Sequence, residues 1–439
     1  MTFTSKLRRA IVLSSMAGLG QMILAQTTAP VDSGIVLADV TVVNTATGAL
    51  TLHRNVIVEN GRIKAITSGR IVGTGAAKII KESGKFVVPG FVDVHAHVVE
   101  TANLNPSYFP LLLANGVTAV REESVVPPLV ELAKKVNADS AAGFVLAPEI
   151  IFQGGEEHQP QNLSAFEASN TGKMPSFDHL GAGLGLVLDC STDSNEIRKA
   201  VLTQGYKVTM PPPKEFILNP RAFDGAANAP FYQRVIDTYS DTRCKSLAET
   251  FAKNTTWQTL TLIRLRTQDY GNDPMYRNNP NLLYVSKERR ATWDAVGDKF
   301  ATLSPEAVAT LQKYYELQKH VSKLMSDNGV KILAGSDVGG VWLVAGFSLH
   351  QEFHELAAAG FTPLQVLQST TRNAAEFLQR QATMGSVDDG KNADLVLLDA
   401  NPILDVGNLD KISGVVIHGR YLSRSELEKM KSDVAAAYR

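Results

Sequence analysis

The 439-residue chain is short of the features that assign a protein quickly. It has two cysteines, Cys190 and Cys244, too few for a disulfide framework. Nothing in the sequence brings their Cα atoms together, so they are expected as buried free thiols, with pairing left open in an oxidising compartment. The formal charge is −1, with no basic run and no basic patch interleaved with aromatics, which excludes the electrostatic footprint of a nucleic-acid binder. Past the first 25 residues no stretch is long and apolar enough to span a bilayer. With 44% hydrophobic residues, the chain can still bury a large core.

What is present begins with a leader. Lys6, Arg8 and Arg9 precede an apolar segment at residues 10–24, which closes on Ala25-Gln26 and a polar spacer. This is the layout of a cleaved secretory signal peptide over residues 1–25, so the mature chain is expected to be secreted or periplasmic and free of the membrane.

Strands of alternating character follow at residues 35–44 and 55–66, the second carrying Asn60-Gly61, a tight-hairpin dipeptide. Short strands of the same style return at residues 385–399 and 412–422, before a polar amphipathic helix at 425–439. The economical arrangement joins residues 30–88 and 385–424 in one composite β-sandwich, since neither piece has the apolar mass to stand alone. Between them, strand-like and helical runs alternate over residues 89–384, the habit of a parallel α/β fold of about (β/α)8 barrel length. Within this insert residues 260–265 (LTLIRL) read as a buried strand and 363–378 as one helix.

The stretch VVPGFVDVHAHVVE, residues 87–100, carries the chemistry. An apolar strand ends in His95-Ala96-His97, and residues two apart on a strand project to the same side. Both imidazoles can therefore enter one cavity and hold a divalent ion such as zinc. Asp337, in GSDVGG after the strand at 331–334, stands at the same C-terminal end, where barrel enzymes keep their reactive groups.

VVPGFVDVHAH, GSDVGG, the NAAEFL helix and the closing GSVDDGKNADLVLLDANP together resemble the metal-dependent amidohydrolase superfamily, in its imidazolonepropionase-like and prolidase-like branch. The resemblance implies a (β/α)8 barrel with metal ligands His95, His97 and Asp337 on its first and last strands. It also implies His158 and His179 as the histidines of the fifth and sixth strands, and a carboxylated lysine on the fourth that bridges two ions. The implied reaction is attack on an amide carbonyl by metal-activated hydroxide, with Asp337 as general base and acid. The substrate range is small: a dipeptide, an N-acyl amino acid or a cyclic amide.

Here the sequence departs from the pattern. Only 60 residues separate His97 from His158, too few for strands two, three and four with their helices, so the barrel is expected to be abbreviated there. Lys207 is shaped like the bridging lysine but lies after His179, and its alternative is a solvated lysine. Lys134 and Lys135 fall on a helix. Glu149, Glu156 or Glu157 could supply an oxygen in the lysine's place. One ion or two therefore stays open. His350 and His354, in HQEFH, read as a packed helix face because the pattern is not HExxH. Arg264 and Tyr284, with Arg289 or Arg290, would meet a substrate carboxylate at the barrel mouth. Two other readings stay open: a metal-poor, catalytically silent binding protein on the same scaffold, and a mononuclear deaminase. Self-association is also open.

Overall fold

The computed structural model describes residues 29–99, 108–124, 126–155, 158, 162–171, 174–204 and 217–439. The leader, Lys207, Glu156 and Glu157 lie outside the described residues. The N-terminal segment is a run of strands: β1 (Ala29–Val31), β2 (Ile35–Val43), β3 (Leu50–Glu59), β4 (Arg62–Thr67), β5 (Ile71–Gly73), β6 (Lys78–Lys81) and β7 (Phe86–Pro89). Asn60 and Gly61 join β3 to β4 with φ of 51° and 72°, the double positive φ that a two-residue hairpin of matching twist needs.

Among the described residues the central segment supplies six parallel strands: β8 (Phe91–Ala96), β9 (Val117–Glu122), β10 (Glu149–Ile151), β11 (Ser176–Asp178), β12 (Trp257–Thr259) and β13 (Ile332–Leu333). They form two ladders, β10-β9-β8 and β11-β12-β13. Backbone bonds from Val94 N to Ala334 O (3.0 Å), Asp337 N to His95 O (2.8 Å) and His97 N to Val338 O (3.0 Å) join the ladders along β8 and β13. The resulting order among the described residues is β10-β9-β8-β13-β12-β11, a run of parallel strands. Among the described residues no strand lies between Ile151 and Ser176. Six parallel strands are thus described where a barrel of eight was expected.

Gly335 permits the β8–β13 seam. A Cβ there would lie 2.6 Å from His95 Cβ and 2.9 Å from His95 N. Phe91, fully buried, packs edge-on against Phe353 at 5.5 Å, and burial of a ring of that size contributes about 1.5–3 kcal/mol.

The chain then returns to the first sheet with β14 (Leu395–Leu398), β15 (Ile412–Ile417) and β16 (Arg420–Ser423). β14 pairs antiparallel with β7, Val396 opposite Val88, so the two ends of the chain do share one layer. That layer is a single eight-stranded sheet, β16-β15-β14-β7-β2-β3-β4 with β6 also on β2, in place of the expected two-sheet sandwich. β2 feeds two neighbours at once, β6 at Ile35 to Ala38 and β7 at Thr41 and Val42. The sheet bends there, and its far edge meets the loop before β14, Ile63 N donating to Lys391 O at 2.8 Å. One layer curls far enough to enclose its own core of Leu37, Val56, Ile63, Val87, Leu395 and Val416. The closing helix, Arg424–Ala437, starts in a capping box of Ser423 and Glu426.

Three local expectations are corrected. LTLIRL is not a strand: β12 stops at Thr259, Thr261 turns the chain at φ 46°, and Leu262–Asp269 is helical. The buried Glu352 carboxylate accepts from Ile263 N at 2.8 Å and anchors that helix's first turn, a long-range contact invisible to periodicity. The helix at 363–378 breaks into Pro363–Ser369 and Arg372–Phe377, because Thr371 leaves helical φ/ψ and Thr370 Oγ1 is drawn to Val92 O at 2.9 Å. Cys190 and Cys244 are not free thiols. They form a disulfide with Cα atoms 4.4 Å apart. Ser240 N to Cys190 O (2.9 Å) and Thr192 N to Thr238 O (2.8 Å) bring their segments together across a separation of 54 residues.

Candidate metal centre

The extended backbone at the end of β8 turns His95 and His97 to one side, their ring centroids 5.4 Å apart. His179 follows β11 and Asp337 follows β13, so all four stand at the C-terminal ends of parallel strands. His179 (φ 54°) and Asp337 (φ 52°) both hold left-handed backbone, a strain of about 1–3 kcal/mol each that concentrates at functional positions. Asp337 is the hub. His97 Nε2 is 3.1 Å and His95 Nε2 3.6 Å from its Oδ1, and His179 Nε2 is 3.7 Å from its Oδ2.

Hydrogen bonding fixes which nitrogens face this hub. Thr261 Oγ1 donates its one proton to Leu260 O at 2.8 Å, so it must accept from His179 Nδ1, and the neutral His179 ring keeps a lone pair on Nε2. His97 Nδ1 is engaged by Ser124 Oγ at 3.2 Å, again leaving Nε2 toward Asp337. His95 is fully buried, yet neither of its ring nitrogens makes a hydrogen bond. Its Nδ1 faces Asp178 Oδ1 at 3.4 Å and Glu123 Oε1 at 3.6 Å, beyond a formed bond, and those two carboxylates favour the Nδ1–H tautomer.

These residues fit a divalent cation. A buried imidazole without a partner is costly, and lone pairs from His95 and His97 converge with one carboxylate oxygen within 4.8 Å of one another. Their nitrogen–oxygen edges of 3.1 and 3.6 Å bracket the roughly 3.4 Å edge of a tetrahedron with bonds of about 2.1 Å. His179 stands beside this triad as a further nitrogen. Burial lowers the pKa of His95, which keeps its lone pair available. Burial opposes ionisation of Asp337, but Arg264, His97 and His179 outweigh it and hold the carboxylate far below its ordinary range.

A second shell locks the first. Asp93, in the DVHAH segment, accepts from Ser336 N (2.8 Å) and Ser336 Oγ (2.5 Å) and ties β8 to the Asp337 turn. Burial pushes Asp93 up to about 7. Glu122 accepts from Val98 N (2.6 Å) and Val99 N (2.8 Å), shaping the chain after His97, and burial raises its pKa. Behind His95 lies a cluster that the sequence does not announce: Arg121, Glu123 and Asp178, each no more than 4% exposed. Arg121 Nη1 is 2.5 Å from Glu123 Oε1 and 3.7 Å from Asp178 Oδ1, and its other nitrogens donate to Gln153 O (2.9 Å) and Gly155 O (3.1 Å). His95, Glu123 and Asp178 also satisfy metal-ligand spacing, but the Arg121 guanidinium is already the cation among them. Burial works against the Asp178 anion, yet His95, Arg121 and His179 bring its pKa down to about 2. The available signal was positional: REE closes β9 and Asp178 directly precedes His179.

The remaining expected site residues are placed as follows. His158 is exposed, its ring 5.5 Å from that of His179. Glu149 begins β10 at the opposite strand end and pairs with Arg380 at 3.0 Å, so it cannot supply the oxygen expected of it. Lys134 and Lys135 pair with Glu131 and Asp139 on an exposed helix face. His350 and His354 share Asp410 at 2.8 and 2.7 Å, a structural clamp. Arg264 lies on a helix and is 5% exposed, with its Nε 2.8 Å from Asp337 Oδ2, although the N–H is not aimed along a hydrogen bond. Its terminal nitrogens donate to Leu218 O (2.5 Å) and Ile217 O (2.6 Å). The guanidinium expected to meet a substrate carboxylate is therefore turned inward onto Asp337. Tyr284 stacks on Phe347 at 5.2 Å.

The profile of the amidohydrolase family matches residues 315–422, the quarter that contains Asp337. A bottromycin amidohydrolase has the same fold at TM-score 0.62 and 21% identity, over 92% of this chain and 90% of that one. Residues 315–422 thus match the amidohydrolase family, and the chain as a whole is similar in fold to a bottromycin amidohydrolase. A Xaa-Pro dipeptidase solved with methionine in its active site aligns with TM-score 0.55 and 15% identity over 89% of this chain and 100% of its own. At these identities the two solved structures speak for fold. The adenine deaminase of Listeria monocytogenes serotype 4b (strain F2365) is 34% identical over 138 residues, 25% of this chain and 23% of the deaminase. The aligned segment thus spans about a quarter of that relative's length.

Proposed function

We propose that this chain is a metal-dependent hydrolase of a C–N bond in a small amide, exported by its leader and working with zinc at one principal position. The observation that carries the reading is the convergence of His95, His97 and His179 Nε2 on the Asp337 carboxylate. When bound there, a divalent ion supplies Lewis acidity to a carbonyl and a nucleophile at neutral pH. The residues around it hold and orient. Asp178 and Glu123 fix the His95 tautomer and Thr261 fixes that of His179. Asp337 stays ionised, and Arg264, against Oδ2, weakens its basicity while leaving Oδ1 toward the histidines. A proton accepted by such a carboxylate is passed on readily to a leaving nitrogen.

Elemental analysis of the purified chain and of His95→Ala, with hydrolysis of dipeptides and N-acyl amino acids, tests the reading. About one equivalent of metal, lost in His95→Ala together with activity, is expected. Absence of metal after reconstitution with zinc would overturn it and leave a binding protein on this scaffold. A mononuclear deaminase is the second reading, favoured by the segment shared with adenine deaminases. Ammonia release from an aminopurine, without amide cleavage, would select it.

A further inference from the structure

A cavity of about 360 Å³ lies beside the metal centre, within the range of small-molecule pockets. Tyr108, Leu218, Tyr284, Arg289, Trp293 and Leu343 are among its lining residues. They come from segments that follow β8, β11, β12 and β13 in the chain. Only one layer separates it from Asp337. Arg264, against Asp337, donates to the carbonyl of cavity-lining Leu218, and Arg289 Nη2 donates to Gly339 O at 3.2 Å, two residues past Asp337. Gly340 fits between Arg264 and Leu343, since a Cβ there would come within 2.8 Å of Arg264 Nη1 and 3.0 Å of Leu343 Cδ1.

Aromatic and aliphatic side chains share the walls, and the nearest guanidiniums are committed. Arg264 is turned inward, and Arg289 Nη1 donates to Tyr108 Oη at 2.6 Å. One polar group stands apart. Trp293 is 1% exposed, and its indole Nε1 has no hydrogen-bond partner. A buried donor without an acceptor, in the wall of this cavity, is matched by a ligand that brings one.

We propose that this cavity is the specificity pocket for a planar aromatic group of the substrate, one carrying an acceptor for the Trp293 N–H. The proposal rests on the amidohydrolase reading for the word substrate, whereas its test reads binding. The purified full chain is titrated by calorimetry with N-acetyl-L-tyrosinamide, N-acetyl-L-phenylalaninamide and N-acetyl-L-alaninamide. The two aromatic amides are expected to bind at least tenfold tighter than the alanine one. Trp293→Phe is expected to weaken the tyrosine amide about fivefold, the worth of one neutral hydrogen bond, and to spare the phenylalanine amide. Leu343→Trp fills the cavity from within and Thr292→Trp from its rim, so a fold lost in the first is still tested by the second. Either is expected to abolish the aromatic preference. Equal affinity for all three amides, or a preference that survives Thr292→Trp, overturns the pocket, and an unchanged tyrosine affinity in Trp293→Phe overturns the donor. Aromatic binding without hydrolysis of any amide would instead sink the hydrolase reading and leave the pocket standing.

Discussion

Replacing Arg121 by methionine is the sharpest perturbation of the buried cluster behind His95. The side chain is 1% exposed, and its removal takes the guanidinium away from the Glu123 carboxylate, at 2.5 Å, and from that of Asp178, at 3.7 Å. Breaking a buried ion pair from one side costs about 3–5 kcal/mol, a large fraction of the roughly 5–15 kcal/mol that holds a protein folded. Two carbonyls, Gln153 O and Gly155 O, also lose their donor. Replacing both partners, Arg121→Met with Glu123→Leu, removes charge and counter-charge together and is expected to restore most of the loss. Urea unfolding of the four proteins of this cycle measures it. A loss under about 1 kcal/mol in Arg121→Met, or simple additivity in the double variant, would refute the ion-pair argument. A second metal equivalent in the wild-type chain, lost in Glu123→Ala, would refute the claim that the guanidinium is the cation of this cluster.

Reducing the Cys190–Cys244 bond, or replacing both residues by serine, opens a loop of 54 residues, and chain entropy sets the loss at up to about 4 kcal/mol. Calorimetric melting with and without reductant checks it, and an unchanged midpoint would exclude the bond. Gly335→Ala forces a methyl within 2.6 Å of His95 Cβ, so the seam between β8 and β13 must part. Lower stability and weaker zinc retention against a chelator are expected together, and normal retention would show that the seam yields without moving His95. The Asp410 clamp predicts a pH window. The hydrogen bond to Asp410 raises the pKa of His354, so its contribution is complete below the unfolded value of about 6.5 and is lost as pH rises through the folded value. Burial opposes the Asp410 anion, but His350 and His354 prevail and lower its pKa, so that contribution is present above about 3.9 and is lost as pH falls. His354→Ala should flatten the alkaline side of the stability–pH curve, and an unchanged slope there would show that the clamp is not coupled to folding.

The parts of this molecule that could be read in the sequence obey short-range rules. His95 and His97 share a side because a strand repeats every two residues, and Asp337 joins them because parallel strands present their C-terminal ends to one face. The scarcity of strands after β10 was also legible, as a count: 60 residues between His97 and His158 leave too little room for three strands and their helices, and among the described residues none lies between Ile151 and Ser176. What escaped was set by contacts far apart in the chain. LTLIRL is apolar enough for either element, and a carboxylate at Glu352 decides for helix. Cys190 and Cys244 meet because two backbone bonds on either side of them close a loop, which no local pattern encodes. Arg264 was expected to face the solvent side of the site, and it faces Asp337 because the carbonyls of Ile217 and Leu218 draw its other nitrogens inward. Arg121, Glu123 and Asp178 escaped for a different reason. Each is an ordinary charged residue at a strand end, and only their common burial turns them into one device. That device binds the family pattern to its departure. His95 Nδ1 needs an anion behind it, Glu123 and Asp178 both stand there, and two buried carboxylates need a cation that the chain supplies from the strand next to the histidines.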